Sequence, residues 1–489
     1  MEMGYKVEVV DPGSPADLYV GYDPPLTFEI ETLTLTHFVP VVSYWLPVTE
    51  VAYADLERIF KGEVQDWAEL GAPQPAKIVP LALQSDPSPP LQPYAMTPLP
   101  SPKALAAALA QWTGGIALVS REAITLSMRV LRVDGRDPLL QEPATREDPL
   151  MRRLVLGWNT GVSEQISRQV RAVAHRERLL PKEPMIEVVV VGDVMPGRAV
   201  GRRILEYGGD YTRPFARIAP WLRQADLTIV NLEGALSDEI MPPDDPTTFY
   251  FVGSGAFCEG LVYAGVDGAS LANNHSMNFG QVGMQHTLAL LEESGIVAFG
   301  AGMDLNQARR PALFEVEGVR FAFLGYDGIS HELYGADAHD AGTAPAYADL
   351  VMTDIAAARE LADVVIPYFH WGWEYTSNPS PWQQEMAHLA VQAGADVVLG
   401  SHPHWVQGLE RYQGVAILYS LGNFVFDQMW SIETRRGVVA HLVFRGDRLV
   451  NVRFQVVQIE DYHQPVLLSI TQAQEVYRQM QAASQNWPH

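Results

Sequence analysis

The chain has 489 residues, about three times the length of a common domain, and its 47% hydrophobic and 19% charged residues give it ample material for a globular core. A net charge of −24 excludes a nucleic-acid or anionic-membrane partner held through phosphate contacts. Cys258 is the only cysteine, which excludes an intrachain disulfide and a cysteine-built zinc site.

No apolar run approaches the ~20 residues needed to span a bilayer, so no transmembrane segment is expected. None of the lysines follows a glycine, which removes a P-loop, and no G-x-S-x-G marks a serine-hydrolase elbow.

In chain order, YADLERIFKGEVQDWAELG (53–71) predicts a helix followed by a W-x-x-L turn. The Pro-rich stretch 86–102 reads as an exposed loop. Residues 163–184 are charged and end in two prolines around a Lys-Glu pair, which predicts a helix running into a linker. Net charge shifts across it, from −6 over 1–183 to −18 over 184–489, and 11 of the 13 histidines follow it. The expected division is a first domain at 1–162, a linker at 163–184, a second domain at 185–462 and a helical extension at 463–489.

Beyond the linker, strands are expected at 186–194, 225–233, 265–275, 296–302, 319–328, 362–372, 395–404 and 416–424, with a hairpin at 437–459. Helices are expected at about 280–294, before 362 and at 381–393. Such alternation implies an α/β sheet with helices on both faces, whose ligands bind beyond the strand ends.

Five polar clusters sit at those ends: Asp193 in GDVM, Asn231 and Glu233 in NLEG, Asn274 and His275 in ANNH, His370 in FHWG, and His402 and His404 in GSHPH. Each has a plainer reading alone, since Asp after Gly caps helices, Asn-Asn makes turns and a lone histidine packs. Five in order at strand ends are hard to explain that way. Carboxylate, amide oxygen and imidazole form a ligand set for Mn, Fe or Zn. His402 and His404, at i and i+2, would point to one side of an extended segment. A metal pair needs a bridging carboxylate, and Asp193 and Glu233 are the candidates.

The stretches VVVVGDVMPGR, ADLTIVNLEGALS, GVDGASLANNHSMNFGQVG, FGAGMDLNQARRP, VIPYFHWGWEY, GADVVLGSHPHWVQGLE and ILYSLGNFVFD recur in order over 184–460. They resemble the CapA-type capsule-synthesis (poly-γ-glutamate biosynthesis) domain, a branch of the calcineurin-like metallophosphatases. The resemblance implies a β-sandwich flanked by helices in αββα layers and two divalent metal ions. It makes Asp193, Glu233, Asn274, His370, His402 and His404 metal ligands, with Glu233 bridging. It places His275 beside the substrate as the group that protonates the leaving oxygen, and implies a phosphorylated or anionic polymer substrate handled with capsule-synthesis machinery. Asn231 and Glu374, the latter matching H-W-G-x-E, are assigned to substrate binding.

Two residues depart from the pattern. Met195 replaces a superfamily histidine and leaves the first metal one nitrogen ligand short, which predicts a weak first site. Asn278 stands where these proteins more often have Asp. Trp371, Trp373, Tyr375, Trp382 and Trp405 are candidates for a polymer platform, with core packing the plainer role for most.

Residues 37–82 and 114–138 resemble phosphate-type periplasmic solute-binding proteins, although QSDPSPP replaces the family's phosphate loop and the first lobe is short. This implies an incomplete α/β binding domain or a spacer. Three functions follow: a metal-dependent hydrolase of envelope-polymer metabolism, a non-catalytic metal-containing binder of an anionic polymer or its assembly machinery, or a solute sensor. Both resemblances imply an extracytoplasmic location. The N-terminus lacks the pattern of a signal peptide, so the expectation is a native start upstream of Met1.

Overall fold

A computed structural model describes residues 18–21, 28–84, 89–91, 98–141, 148–159, 168, 172, 183–241 and 248–487. Most of the expected linker at 163–184 and much of the Pro-rich loop at 86–102 lie outside the described residues.

The continuous apolar run at 185–194 forms the strand Met185–Val194, central in an eight-stranded sheet. Parallel to it run Leu227–Leu232, then Gly268–Ser270 and Val297–Phe299, with Asn423–Val425 paired at its end. On its other side the hairpin Arg436–Arg445 and Arg448–Glu460 pairs antiparallel. A second sheet of six strands is built around parallel Val319–Asp327, Val364–His370, Val397–Ser401 and Val415–Leu418.

The two sheets pack face to face. Ile186, Val188 and Val190 point into a core shared with Phe321, Phe323, Val364, Ile366, Val397 and Leu399. Their alternating neighbours Val189 and Val191 point outward, under the helices Arg198–Glu206, Phe257–Ala264 and Gly280–Glu293. The second sheet's outer face is covered by Ala348–Arg359 and Pro381–Ala393. These are the αββα layers. They correct the simpler picture of one sheet with helices on both faces. A strand buried on both sides reads as continuous valine whether a helix or a second sheet covers it.

The predicted helix forms at Tyr53–Lys61, and the W-x-x-L turn is a short 3-10 helix, Trp67–Leu70, closed by the capping box of Asp66 and Glu69. This segment belongs to a six-stranded sheet centred on Phe28–Ser43, which packs on the long hairpin. Tyr44 Oη donates to the Val452 carbonyl at 2.9 Å and Asn451 Nδ2 to that of Met128 at 2.8 Å. Arg453 lies largely buried between Asp137 and Glu187. The helix Ile470–Ala483 lays Ala473, Val476 and Met480 into the core between the sheets.

Candidate metal centre

Strand register brings the predicted residues together. Asp193 pairs with Asn231 on one neighbouring strand and with Asn423 on another, at bulges in both ladders. His370 ends its strand opposite Ser401, and His402 and His404 follow. Tyr368 Oη ties the two sheets beneath the site by donating to Val191 O at 2.9 Å. Gly192 is required for this closure, because a Cβ there would stand 1.8 Å from the Gly422 carbonyl oxygen.

Ligand atoms of Asp193, Glu233 and His404 lie within 4.8 Å of one another, all buried. His404 Nδ1 is 3.3 Å from Asp193 Oδ2 and 2.9 Å from Asn423 Oδ1. A second group forms beside it, with His370 Nε2 at 2.9 Å from Asn274 Oδ1 and 3.2 Å from His402 Nδ1. Behind both, Asn231 Nδ2 donates to Asp193 Oδ1 at 2.8 Å and lies 3.3 Å from His370 Nδ1, while its Oδ1 accepts from Asn273. Asn231, expected at the substrate, instead spends its amide on Asp193 and Asn273 and lies beside His370. Asn273 makes the turn, and Asn274 turns its side chain toward His370.

The local backbone corrects one premise. His402 and His404 are not on an extended segment; their φ angles are 96° and 58°, in the left-handed region that costs non-glycine residues. The chain twists past the strand end, and both rings still reach the cluster, 5.8 Å apart. Met195 is fully buried in the outer core, with its sulfur 3.1 Å from the Gly197 amide, and stands outside the ligand group.

His275 stacks on Phe251 at 3.8 Å. Its Nδ1 lies 2.9 Å from Asn278 Oδ1, which also accepts the Phe251 N–H at 3.0 Å. Its Nε2 is 3.1 Å from Asn274 Nδ2 and 3.8 Å from Glu233. This pattern fits a neutral ring with its proton on Nδ1. Glu374 is half-exposed at the rim, 4.0 Å from His404 Nε2.

The electrostatics are those of a cation site. Burial, and then the nearby Asp193, hold the Glu233 carboxyl well above its usual range. Burial, and then repulsion from neighbouring histidines, hold His370 and His402 well below theirs, and burial pushes His275 down to about 4. Asp193 Oδ2 and both Glu233 carboxylate oxygens are buried with no hydrogen-bond partner among the described residues. Buried carboxylate oxygens are ordinarily paired or bound to a metal, so these residues fit divalent ions.

Sequence reasoning singled out neither Asn423 nor the Arg198–Asp427 ion pair beside Phe251. Asn423 carried the same signal as the others, a polar residue after the apolar run ILYSL. Of the aromatic candidates, Trp371 is fully buried and stacked on Phe369, whereas Trp373 is exposed and Trp382 partly so.

The family model for bacterial capsule synthesis protein PGA_cap matches residues 187–428. Capsule biosynthesis protein CapA of Bacillus anthracis is 30% identical over 323 residues, covering 65% of this chain and 76% of that protein. PGA biosynthesis protein CapA of Bacillus subtilis is 31% identical over 280 residues, covering 57% and 72%. A solved structure, a 5'-nucleotidase precursor from Thermus thermophilus, is 11% identical with a TM-score of 0.38, covering 61% of this chain and 59% of that one. With about three quarters of two CapA proteins matched at 30% identity or better, the chain belongs to the CapA-type bacterial capsule synthesis family.

Proposed function

We propose that the protein is a metal-dependent phosphoester hydrolase acting in capsule or poly-γ-glutamate metabolism at the cell envelope. The observation that carries this reading is the buried pair Asp193 and Glu233: Asp193 Oδ2 and both Glu233 oxygens have no hydrogen-bond partner among the described residues, and the pair offers ligand atoms within 4.8 Å of one on His404. Asp193, Glu233 and His404 would hold one ion, and Asn274, His370 and His402 the other, with Glu233 between them. Bound there, Mn, Fe or Zn ions would act as Lewis acids toward a phosphoryl group.

The remaining work belongs to the chain. Asn231 and Asn423 orient the ligands from behind, as outer partners of a metal site do. Asn278 Oδ1 fixes the Nδ1 proton of His275 and leaves Nε2 as the atom that exchanges a proton with the substrate. Glu374, at the rim, is the candidate contact for the substrate's polar groups. The division at 163–184, and a solute-binding or spacer role for residues 1–162, are part of the same proposal.

A second reading, a metal-containing binder without turnover, is favoured by His275 itself. A ring whose pKa burial pushes down to about 4, facing an amide where the family more often has a carboxylate, is a poor proton donor at neutral pH. Metal content and turnover of an aryl phosphate, measured on the same preparation, separate the two. Bound metal with turnover supports the hydrolase, bound metal without turnover the binder, and absence of metal overturns both.

A further inference from the structure

Tyr375 and Trp430 form a ledge that starts at a candidate metal ligand and runs outward. The Tyr375 ring stacks beside His404 at 6.1 Å, and Trp430 meets it edge-on at 4.8 Å with 61% of its surface exposed. The ledge is held in place. Tyr375 adopts a left-handed φ of 60°, and its N–H donates at 2.8 Å to the carbonyl of Pro403, between His402 and His404. Its hydroxyl lies 3.3 Å from Gln428 Nε2. A non-glycine residue in that region is strained, and such strain persists where the surroundings impose it, often at functional sites.

An exposed indole beside ordered polar groups selects a particular ligand chemistry. The face of an aromatic ring carries partial negative charge and attracts the C–H bonds of a flat, hydroxylated ring. Glu374, Gln428 and the Tyr375 hydroxyl supply acceptors and donors at its edge. The surroundings disfavour a polyanion. Glu374 at the rim is acidic, and the cation Arg198 is already paired with Asp427. A sugar ring satisfies both the apolar face and the polar rim.

We infer that the Tyr375–Trp430 ledge is a sugar-binding subsite that seats the glycosyl part of a phosphorylated glycan beside the metal centre. The inference rests on the phosphoester reading for the phosphoryl group alone; the sugar contact stands by itself.

The test uses the full chain supplied with Mn(II) and probes that cannot be hydrolysed: methylphosphonate, a glucosyl methylenephosphonate, methyl glucoside and tetra-γ-glutamate, each titrated calorimetrically. The glucosyl phosphonate should bind at least ~10-fold tighter than methylphosphonate, and that ratio should fall to about one in Trp430→Ala and recover in part in Trp430→Phe. Trp112→Ala, at an exposed indole on the N-terminal half, should leave the ratio intact. Methyl glucoside should bind weakly, and only where Trp430 is present. A ratio near one in the unmodified protein, a ratio that survives Trp430→Ala, or Trp430-dependent binding of tetra-γ-glutamate in place of the sugar would overturn the subsite. If methylphosphonate does not bind while methyl glucoside and the glucosyl phosphonate bind alike, both through Trp430, the phosphoester reading fails and the sugar subsite stands.

Discussion

Asn278 Oδ1 accepts two hydrogen bonds at once, from His275 Nδ1 at 2.9 Å and from the Phe251 amide at 3.0 Å, and so fixes the face that His275 presents to the centre. Replacing Asn278 with Ala leaves both donors buried without a partner. The expected cost is about 1–3 kcal/mol for each, whereas Asn278→Asp keeps both acceptors. Chemical denaturation of the two variants checks this, and equal stability would show that the bonds carry little weight.

The histidines should divide by role. His402→Ala and His404→Ala should each lower bound metal, because each removes a nitrogen from a ligand group. His275→Ala should keep its metal while turnover falls by ~10²–10⁴, the usual weight of a proton-transfer group. Elemental analysis and rates on the same preparations decide it; loss of metal from His275→Ala would break the assignment.

Glu233 should destabilise the metal-free protein. Its folded pKa lies well above the usual 4.5, so its contribution is fully present only below that value and is lost as pH rises through the folded pKa. His275, His370 and His402 act in the opposite sense. Their folded pKa values lie below 6.5, so their contribution is present above 6.5 and is lost as pH falls, for His275 down to about 4. At neutral pH in a chelator, Glu233→Gln should therefore raise Tm, while abolishing the Tm gain that Mn(II) gives the unmodified protein. A lower Tm in chelator would contradict the account.

At Gly192 the prediction is steric. Gly192→Ala drives a Cβ to 1.8 Å from the Gly422 carbonyl and must separate Met185–Val194 from Asn423–Val425. Overpacking of this kind costs roughly 1–3 kcal/mol or more. It should lower both Tm and metal binding, since Asp193 is the next residue.

Arg453 tests how the two halves depend on each other. It lies largely buried between Asp137 of the first half and Glu187 of the second. Asp137→Ala should cost roughly 2–4 kcal/mol by leaving a buried charge half-paired, and adding Arg453→Met should recover much of it. Urea unfolding of the single and double variants measures the coupling; an unchanged midpoint in Asp137→Ala would place the charge in contact with solvent.

Most of the centre was legible as a pattern of positions. Asp193, Glu233, Asn274, His370, His402 and His404 each end or follow an apolar run, and parallel strands carry their ends to one edge. Asn231 was also legible, but its direction was not. Whether an amide faces substrate or reaches back to Asp193 depends on the bulge that sets it opposite Asp193, and a bulge is a property of the pair of strands. The premise of an extended His402–His404 segment failed for a related reason. Local spacing favours alternation, whereas past the strand end both histidines take positive φ, with the Pro403 carbonyl between them accepting from the Tyr375 amide.

The sequence by itself determined the elements, because β-branched runs such as 186–191 and the capped helix at 381–393 are set by local propensity and burial. It also determined which side chains could ligate a metal. Only the tertiary structure decided that two sheets face each other, since Ile186, Val188 and Val190 would be as content under a helix as against Phe321 and Phe323. The same packing set the direction of each polar side chain. Contact between segments hundreds of residues apart, Asp193 with Asn423 or Tyr44 with Val452, is fixed by shape and register, which no local window of residues contains.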